Sequence, residues 1–415
     1  MRFLTLSLVL LLSCARAPEA AVTPASSLEH ASPEDVGMAS AVLDSIAPIM
    51  QQLIDSRRTG GIMTLVARNG RIVHWEAVGD RVPGEPLKPN DIFRIFSMTK
   101  PITSVAAMVL VEAGQLRLED PVSKYIPSFA SVQVYQPGGG RRAPAQAMTV
   151  KHLLTHTSGL TYGLFGETPV DSVYRAAGVL MAPPAGLAGF VEQVAALPLL
   201  GDPGSVWNYS VSTDILGRVI EIVSGQPLDA FFRERIFEPL GMVDTGFQVP
   251  AEQQHRFTAV YAGSGDDLAL TEAGGASTST PVWLSGGGGL ASTAADYLRF
   301  CQMLLNEGEL DGVRILRPET VRAMRSNQLP ESLIPIAVGP LVFADHGFGL
   351  GFGVAVDGPF QGTLVWGGAA NTFFWIDPAQ EIIAFTWTQY MPYGGIEIDP
   401  ILRRLVYASL RGSGG

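Results

Sequence analysis

Cysteine, charge and basic runs are all scarce in this chain. Of 415 residues, two are cysteines, Cys14 and Cys301. If Cys14 is consumed by processing, as argued below, no intrachain disulfide can form and stability must come from the core. Charged residues make up 16% of the chain and the formal net charge is -11. Such a surface has nothing with which to neutralise a phosphate backbone, so nucleic acid is excluded as a partner. Basic residues come in pairs such as Arg141-Arg142 and Arg403-Arg404, which read as solvated surface. There is no G-x-S-x-G, so the nucleophile elbow of an α/β-hydrolase is absent. There is no H-E-x-x-H either. His152 and His156 lie four apart but lack a third ligand, so "HLLTHTSG" reads as structural and no metal is expected. Internal repeats are also lacking.

What is present suits a large folded core, since 47% of the residues are hydrophobic. The one strongly apolar run near the start, Leu4 to Leu12 after Arg2, is too short to span a bilayer and reads as the core of an export signal. It ends in "LLSC", Leu11 to Cys14, which resembles a bacterial lipobox. In such a motif the cysteine is lipidated and becomes the first residue. Ser13 before Cys14, and Pro18 spoiling a cleavage site at Ala15–Ala17, support that reading. Residues 1–13 are then a signal peptide. Residues 14–35, rich in Ala, Pro, Ser and Glu, are a tether, and the protein is held on the periplasmic side of a bacterial envelope by its lipid alone. Cys301, inside the helical pattern "ADYLRFCQMLLNEG", reads as a buried inert thiol.

Strand patterns gather at the two ends. "GIMTLVARNGRIVHWEAVG" holds two β-runs around Asn69-Gly70, a strong hairpin signal. "GTLVWGGAANTFFWIDPAQEIIAFTWTQY" holds two or three more, with Asp377-Pro378 as a turn. Helical patterns flank these at about 38–57 and 397–410. Others fill the middle at 98–113, 150–156, 187–196, 212–224, 228–236 and 294–306. The expected fold is therefore α+β: a three-layer α/β/α arrangement whose antiparallel sheet is built from both chain ends, with a mostly helical insertion. The α/β part would comprise about 36–100 and 285–412, and the helical part about 101–284.

The chemistry starts at "FRIFSMTKPITSVAAMVLVEAG". Pro101 is tolerated only in a first helical turn, which puts Ser97 at a helix N-terminus. A lone serine there would be a cap. Lys100, however, is a cation in a turn whose dipole favours carboxylates, and at i+3 it shares a face with Ser97. An amine beside a hydroxyl is what an activated nucleophile requires. Tyr209 in "GSVWNYSVSTDILGRVIEIVSG" precedes another helix, capped by Ser210 or Ser212. Next to an ammonium, its phenol is expected to ionise more readily than usual and serve as a base. In "VWGGAANTFFW", Gly367 and Gly368 mark a place where something, here a substrate, comes close to a strand.

Together with "LEDPVSKYIP", "LLTHTSGL", "PLGMVDTGF", "GGGGLASTAADYLRF" and "HGFGLGFGV", these segments resemble the serine β-lactamase and penicillin-binding-protein superfamily, in its class C-like branch, over about residues 35–410. The resemblance implies a β-lactamase-like fold and no cofactor. Ser97 would be the acylated nucleophile, with Lys100 activating it and Tyr209 as base and proton donor to the leaving group. Which of Lys100 and Tyr209 takes the first proton stays open. The amides of Ser97 and Ala369 would form an oxyanion hole. The departures are informative. Val211 stands where class C enzymes carry the asparagine of Tyr-x-Asn, and Trp366-Gly367-Gly368 replaces Lys-Thr-Gly. An indole has one N–H donor and no charge. Trp-Gly-Gly is similar to the pattern of family VIII carboxylesterases, so the resemblance implies hydrolysis of short or medium acyl esters. Val211, Trp366, Gly367 and Gly368 would touch substrate. A β-lactamase, or a peptidase of D-amino-acid or cell-wall peptides, is the nearest alternative, with a β-lactam-like substrate in place of an ester. A non-catalytic penicillin-binding or sensor protein is the alternative of another kind. The loops 131–147, 161–186 and 325–346 are expected to shape the pocket.

The lipobox reading makes a direct prediction: Cys14→Ser should turn a membrane-associated protein into a soluble or unprocessed one. Fractionation and N-terminal mass spectrometry check it. A wild-type protein that is soluble and starts beyond residue 14 without lipid would refute it.

Overall fold

The computed structural model describes residues 29–179, 186–272 and 283–411. Residues 1–28, which hold the expected signal, Cys14 and most of the expected tether, lie outside the described residues. Asn69 and Gly70 both take left-handed backbone, φ 51° and 73°, as a two-residue hairpin turn requires. They join β1 (Gly61–Arg68) to β2 (Arg71–Val82), and β3 (Glu85–Pro86) pairs with β2. Later segments supply β4 (His346–Phe348), β5 (Gly353–Ala355), β6 (Leu364–Gly368), β7 (Thr372–Asp377) and β8 (Ile382–Thr388). All pair antiparallel in one sheet of order β4-β5-β6-β7-β8-β1-β2-β3. The chain ends meet at the β8–β1 seam, where Met63 pairs with Trp387 and Leu65 with Phe385.

Successive strand side chains point to opposite faces, and here both faces are covered. Met63, Leu65, Phe374, Phe385 and Trp387 enter one core, which also holds α1 (Thr99–Glu112), α2 (Ser212–Ser224) and α3 (Ala294–Leu305). Ile62, Val66, Trp375 and Ala384 enter a second core with Ile46 and Met50 near the start and Leu402 and Val406 near the end. This is the expected three-layer α+β architecture with a sheet drawn from both ends. The helix expected at 38–57 is broken into Ser40–Leu43 and Ile46–Asp55. The one expected at 228–236 passes into a π turn over Arg233–Phe237. Cys301 is fully buried, and burial pushes its thiol well above the usual range. Among the described residues no helix is long and apolar enough to cross a membrane.

Helix α1 has no solvent face over most of its length, since every residue from Thr99 to Leu110 is buried. A helix apolar on all sides must be packed on all sides. Its N-terminus therefore sits deep in the molecule. The short 3-10 turn Phe96–Met98 leads into it, and Phe96 has φ 43°, a region bulky side chains rarely occupy. Such strain costs about 1–3 kcal/mol and persists only where neighbours impose it. The neighbours are visible. Ile95 N donates to Leu290 O at 3.0 Å, Met98 N and Thr372 Oγ1 donate to Ile95 O, and the Tyr297 hydroxyl donates to Met98 O at 2.9 Å.

The glycine pair completes this clamp. A Cβ on Gly368 would lie 2.4 Å from Ile95 O and 2.3 Å from Thr372 Oγ1, and one on Gly367 would lie 2.9 Å from the Tyr393 ring. What comes close to these glycines on their missing side-chain side is protein. Gly368 lets the end of β6 dock on the strained turn. Gly368→Ala should therefore destabilise the fold by about 2–3 kcal/mol through overpacking and weaken labelling of Ser97 by a serine-directed probe. Urea denaturation checks the first effect, and an unchanged midpoint would refute the clamp.

Candidate active site

Ser97 occupies the middle of the strained turn, half-buried. It does not cap α1 through its side chain. Its Oγ faces Lys100 Nζ at 3.2 Å. Lys100 is fully buried, and its Nζ also donates to Gly287 O at 2.7 Å and to the Tyr162 hydroxyl at 2.8 Å. An ammonium has three donors, and three acceptors surround this one. Gly287 O can only accept. A neutral amine that keeps its bonds to Gly287 and Tyr162 would therefore aim its lone pair at the Ser97 hydroxyl. Burial pulls Lys100 down to about 7, with the Asp214 carboxylate opposing the fall. Near neutral pH a large fraction of the amine can thus accept a proton.

Tyr162, Asp214 and Gly287 were not legible as site residues. Asp214 stands in the first turn of α2, buried, and its Oδ1 accepts from Ser285 Oγ at 2.6 Å and from Gly287 N at 2.9 Å. It thereby fixes the loop whose carbonyl holds Lys100. Burial raises its carboxyl, with Lys100 opposing. A Cβ on Gly287 would lie 2.5 Å from Asp214 Oδ2 and 3.0 Å from the Tyr162 hydroxyl, so only glycine fits. The weak signal for Asp214 was a carboxylate at a helix N-terminus, which the dipole alone explains. Nothing in the sequence singled out Tyr162.

Tyr209 lies in the extended segment before α2. The segment is clamped by "HTSGL": Asn208 N donates to His156 O at 2.9 Å, Asn208 Nδ2 to Leu160 O at 2.8 Å, and Ser210 N to His156 Nδ1 at 3.3 Å. His152 does a separate job, its Nδ1 accepting from Thr149 N in a capping box. Both histidines are thus structural. At the start of α2 the N-cap position is Val211, and Ser210 Oγ accepts from Ser212 N, the first amide of the helix, at 3.4 Å. The two serine hydroxyls bond each other, and Ser212 bonds Ser158, both at 2.7 Å.

The Tyr209 ring lies 4.5 Å from Lys100 Nζ, centroid to nitrogen. It also packs against Tyr162, Phe165 and Trp366 at 5.2–5.6 Å. Its hydroxyl is sealed from solvent without a hydrogen bond of its own, as is Trp366 Nε1. Burial pushes the phenol above its ordinary range, although Ser97, Trp366 and Tyr162 nearby favour its anion. This runs against the expectation of a readily ionised phenol: desolvation in an aromatic box outweighs those neighbours.

Ala369 follows β6 in the turn to β7. Among the described residues, neither its N–H nor that of Ser97 has a protein acceptor, so both are free for an oxyanion. Val211, expected to touch substrate, is fully buried in the core and presents no surface to one. Of the expected pocket loops, 161–186 contributes Tyr162 and Phe165, and 325–346 contributes Phe343, stacked on Trp366 at 6.0 Å. The 131–147 stretch instead forms a small hairpin tied to Leu199 and Asp202. The arrangement as a whole offers a nucleophile, a deprotonable amine, a protonated phenol and two free amides. These are the parts of an acyl-transfer centre.

Known proteins resemble this chain over most of its length. A family model described as Beta-lactamase matches residues 46–408. Esterase EstB of Burkholderia gladioli is 33% identical, over 90% of this chain and 96% of its own length. Lovastatin esterase of Penicillium rubens is 31% identical, over 79% and 88%. The solved structure of EstCE1, a hydrolase with promiscuous acyltransferase activity, superposes with a TM-score of 0.76 at 27% identity, covering 90% of this chain and 99% of EstCE1.

The lysine makes a signed prediction. Activity on a neutral substrate should rise with pH through about 7 as the ammonium loses its proton. No falling limb from Tyr209 should appear below the ordinary tyrosine range. Asp214→Asn keeps an oxygen for Ser285 and Gly287 but removes the charge that favours the ammonium. Its rising limb should move to lower pH. A kcat/KM profile for both proteins decides this, and a limb that stays in place in the variant would refute the linkage.

Proposed function

The chain belongs to the beta-lactamase family, with esterases and acyltransferases among its relatives, and from that premise we propose that it hydrolyses carboxylic esters through an acyl-enzyme on Ser97. Neutral Lys100 takes the Ser97 proton as Oγ adds to the ester carbonyl. The oxyanion rests on the amides of Ser97 and Ala369. As the C–O bond breaks, the Tyr209 hydroxyl protonates the departing alkoxide, and the Lys100 ammonium restores the phenol. Water then repeats the sequence in reverse and releases the acid. The observation that carries this reading is the burial of Lys100 among three acceptors, one of them Ser97 Oγ.

Esters are favoured over β-lactams because Trp366 supplies one neutral donor where a β-lactamase has a cation for the substrate carboxylate. The two esterases named above support the same choice. A second reading, transfer of the acyl group to an alcohol instead of water, is favoured by the sealing of the Tyr209 hydroxyl and Trp366 Nε1 under aromatic rings. Export and lipidation at Cys14 belong to the same proposal and rest on the sequence of residues 2–18.

Ser97→Ala should lose turnover by at least about a thousandfold and lose covalent labelling by a fluorophosphonate, while its unfolding midpoint stays within the wild-type range. An adduct mapped to another serine would refute the mechanism. A panel of simple esters, a cephalosporin and a D-alanyl peptide tests the substrate class. A cephalosporin turned over faster than every ester would overturn it.

A further inference from the structure

Resting on the esterase reading, we infer that this site selects its substrate by the alcohol half of the ester, through an apolar mouth built from Leu164, Phe165 and Leu341. Large exposed apolar side chains are few on the described surface, and four of the eight lie in two segments that meet: Leu164 at 60% exposure, Phe165 at 44%, Leu341 at 37% and Val342 at 57%. The meeting point is Gly339, where a Cβ would lie 3.2 Å from Phe165 O and 3.6 Å from Phe165 Cβ. Isolated apolar residues need no explanation, but a cluster beside a reaction centre does.

Both segments lead inward to the same place. The hairpin pairs Ile336 with Phe343 and Val338 with Leu341. Alternation along a strand puts Leu341 on the face of Phe343. Phe343 stacks on Trp366 at 6.0 Å, so Leu341 continues that wall outward. The opposite wall is Phe165, whose ring packs 5.6 Å from that of Tyr209 and 5.8 Å from that of Tyr162, with Leu164 beside it. The rings on which these walls pack carry the Tyr209 hydroxyl and Trp366 Nε1, both buried and without a hydrogen-bond partner.

That convergence decides which half of the ester the walls touch. The group that protonates the leaving oxygen must reach that oxygen. The carbonyl is placed at the other side, on the amides of Ser97 and Ala369. Walls built around Tyr209 therefore flank the alcohol. The occupant is an uncharged, extended or bulky apolar alcohol, since every side chain named here is aliphatic or aromatic. Phe165 against Tyr209 and Phe343 against Trp366 tie the mouth to the reaction centre.

Isomeric esters separate the two halves at equal hydrophobicity: hexyl acetate against ethyl hexanoate, and butyl acetate against ethyl butanoate, all below their solubility limits. Along the acetates, kcat/KM should climb about threefold per methylene buried at the mouth. Along the ethyl esters it should change little. Leu341→Ser and Leu164→Ser, one on each wall, should each cut the ratio of hexyl to ethyl acetate by about threefold or more. Val243→Ser, a 77% exposed position outside these segments, should leave the ratio unchanged. Equal turnover of the isomers, preference for ethyl hexanoate, or a ratio that survives both wall substitutions would overturn the inference. So would activity confined to concentrations above the solubility limit, which would mark the patch as facing a lipid interface. If no ester in either series is hydrolysed and Ser97 resists a fluorophosphonate, the esterase reading itself fails.

Discussion

Everything at this site depends on keeping one lysine out of water. An ammonium loses hydration when buried, and the loss is tolerable only if acceptors replace it or the proton leaves. Lys100 has both outlets. Gly287 O, the Tyr162 hydroxyl and Ser97 Oγ replace the water, and burial brings the proton's departure to about neutral pH. Two acceptors suffice for the neutral amine, so the third contact becomes the one through which a proton can move. The same burial acts on Tyr209 in the opposite sense, since there it is the charged phenolate that loses. One dry box thus pulls the amine toward losing its proton and the phenol toward keeping its own.

The box needs a rigid floor, and the fold supplies it by confining α1. A helix buried on all sides cannot shift to relieve the strained Phe96 turn, and the end of β6 presses on that turn through Gly368. Strain of this kind is retained where it aims a functional group. Here it directs Ser97 Oγ toward Lys100 instead of letting it cap the helix. The Asp214 carboxylate performs the matching task on the far side, fixing Gly287 so that its carbonyl meets the amine.

The fold was legible because its signals are local and periodic. Asn69-Gly70 had to turn, the strand runs had to bury both faces, and Pro101 had to open a helix. The pair Ser97 and Lys100 was legible because it broke a local rule, a cation set against a helix dipole. The rest of the site obeys local rules and so was silent. Asp214 is an ordinary residue for a helix first turn, Gly287 one glycine in a run of four, and Tyr162 one aromatic in a loop. Their roles come from contacts across 62 to 187 positions of chain, which no spacing argument reaches. Tyr209 was expected to ionise easily, and Val211 to touch substrate, because in each case the protein's own packing was left out.

Packing also explains why a tryptophan at position 366 suits this box better than a lysine. The space around Tyr209 is filled by the rings of Tyr162, Phe165, Trp366 and, behind them, His156 at 4.9 Å. The one carboxylate acting on Lys100, Asp214, is already engaged by Ser285 and Gly287. A second ammonium among these rings would lack a counter-charge. It would also repel the first, driving Lys100 further below neutral while opposing its return to the charged state after each proton transfer. An indole avoids both costs. It keeps one donor, extends the apolar wall that Phe343 continues outward, and adds no charge beside Lys100 and Asp214.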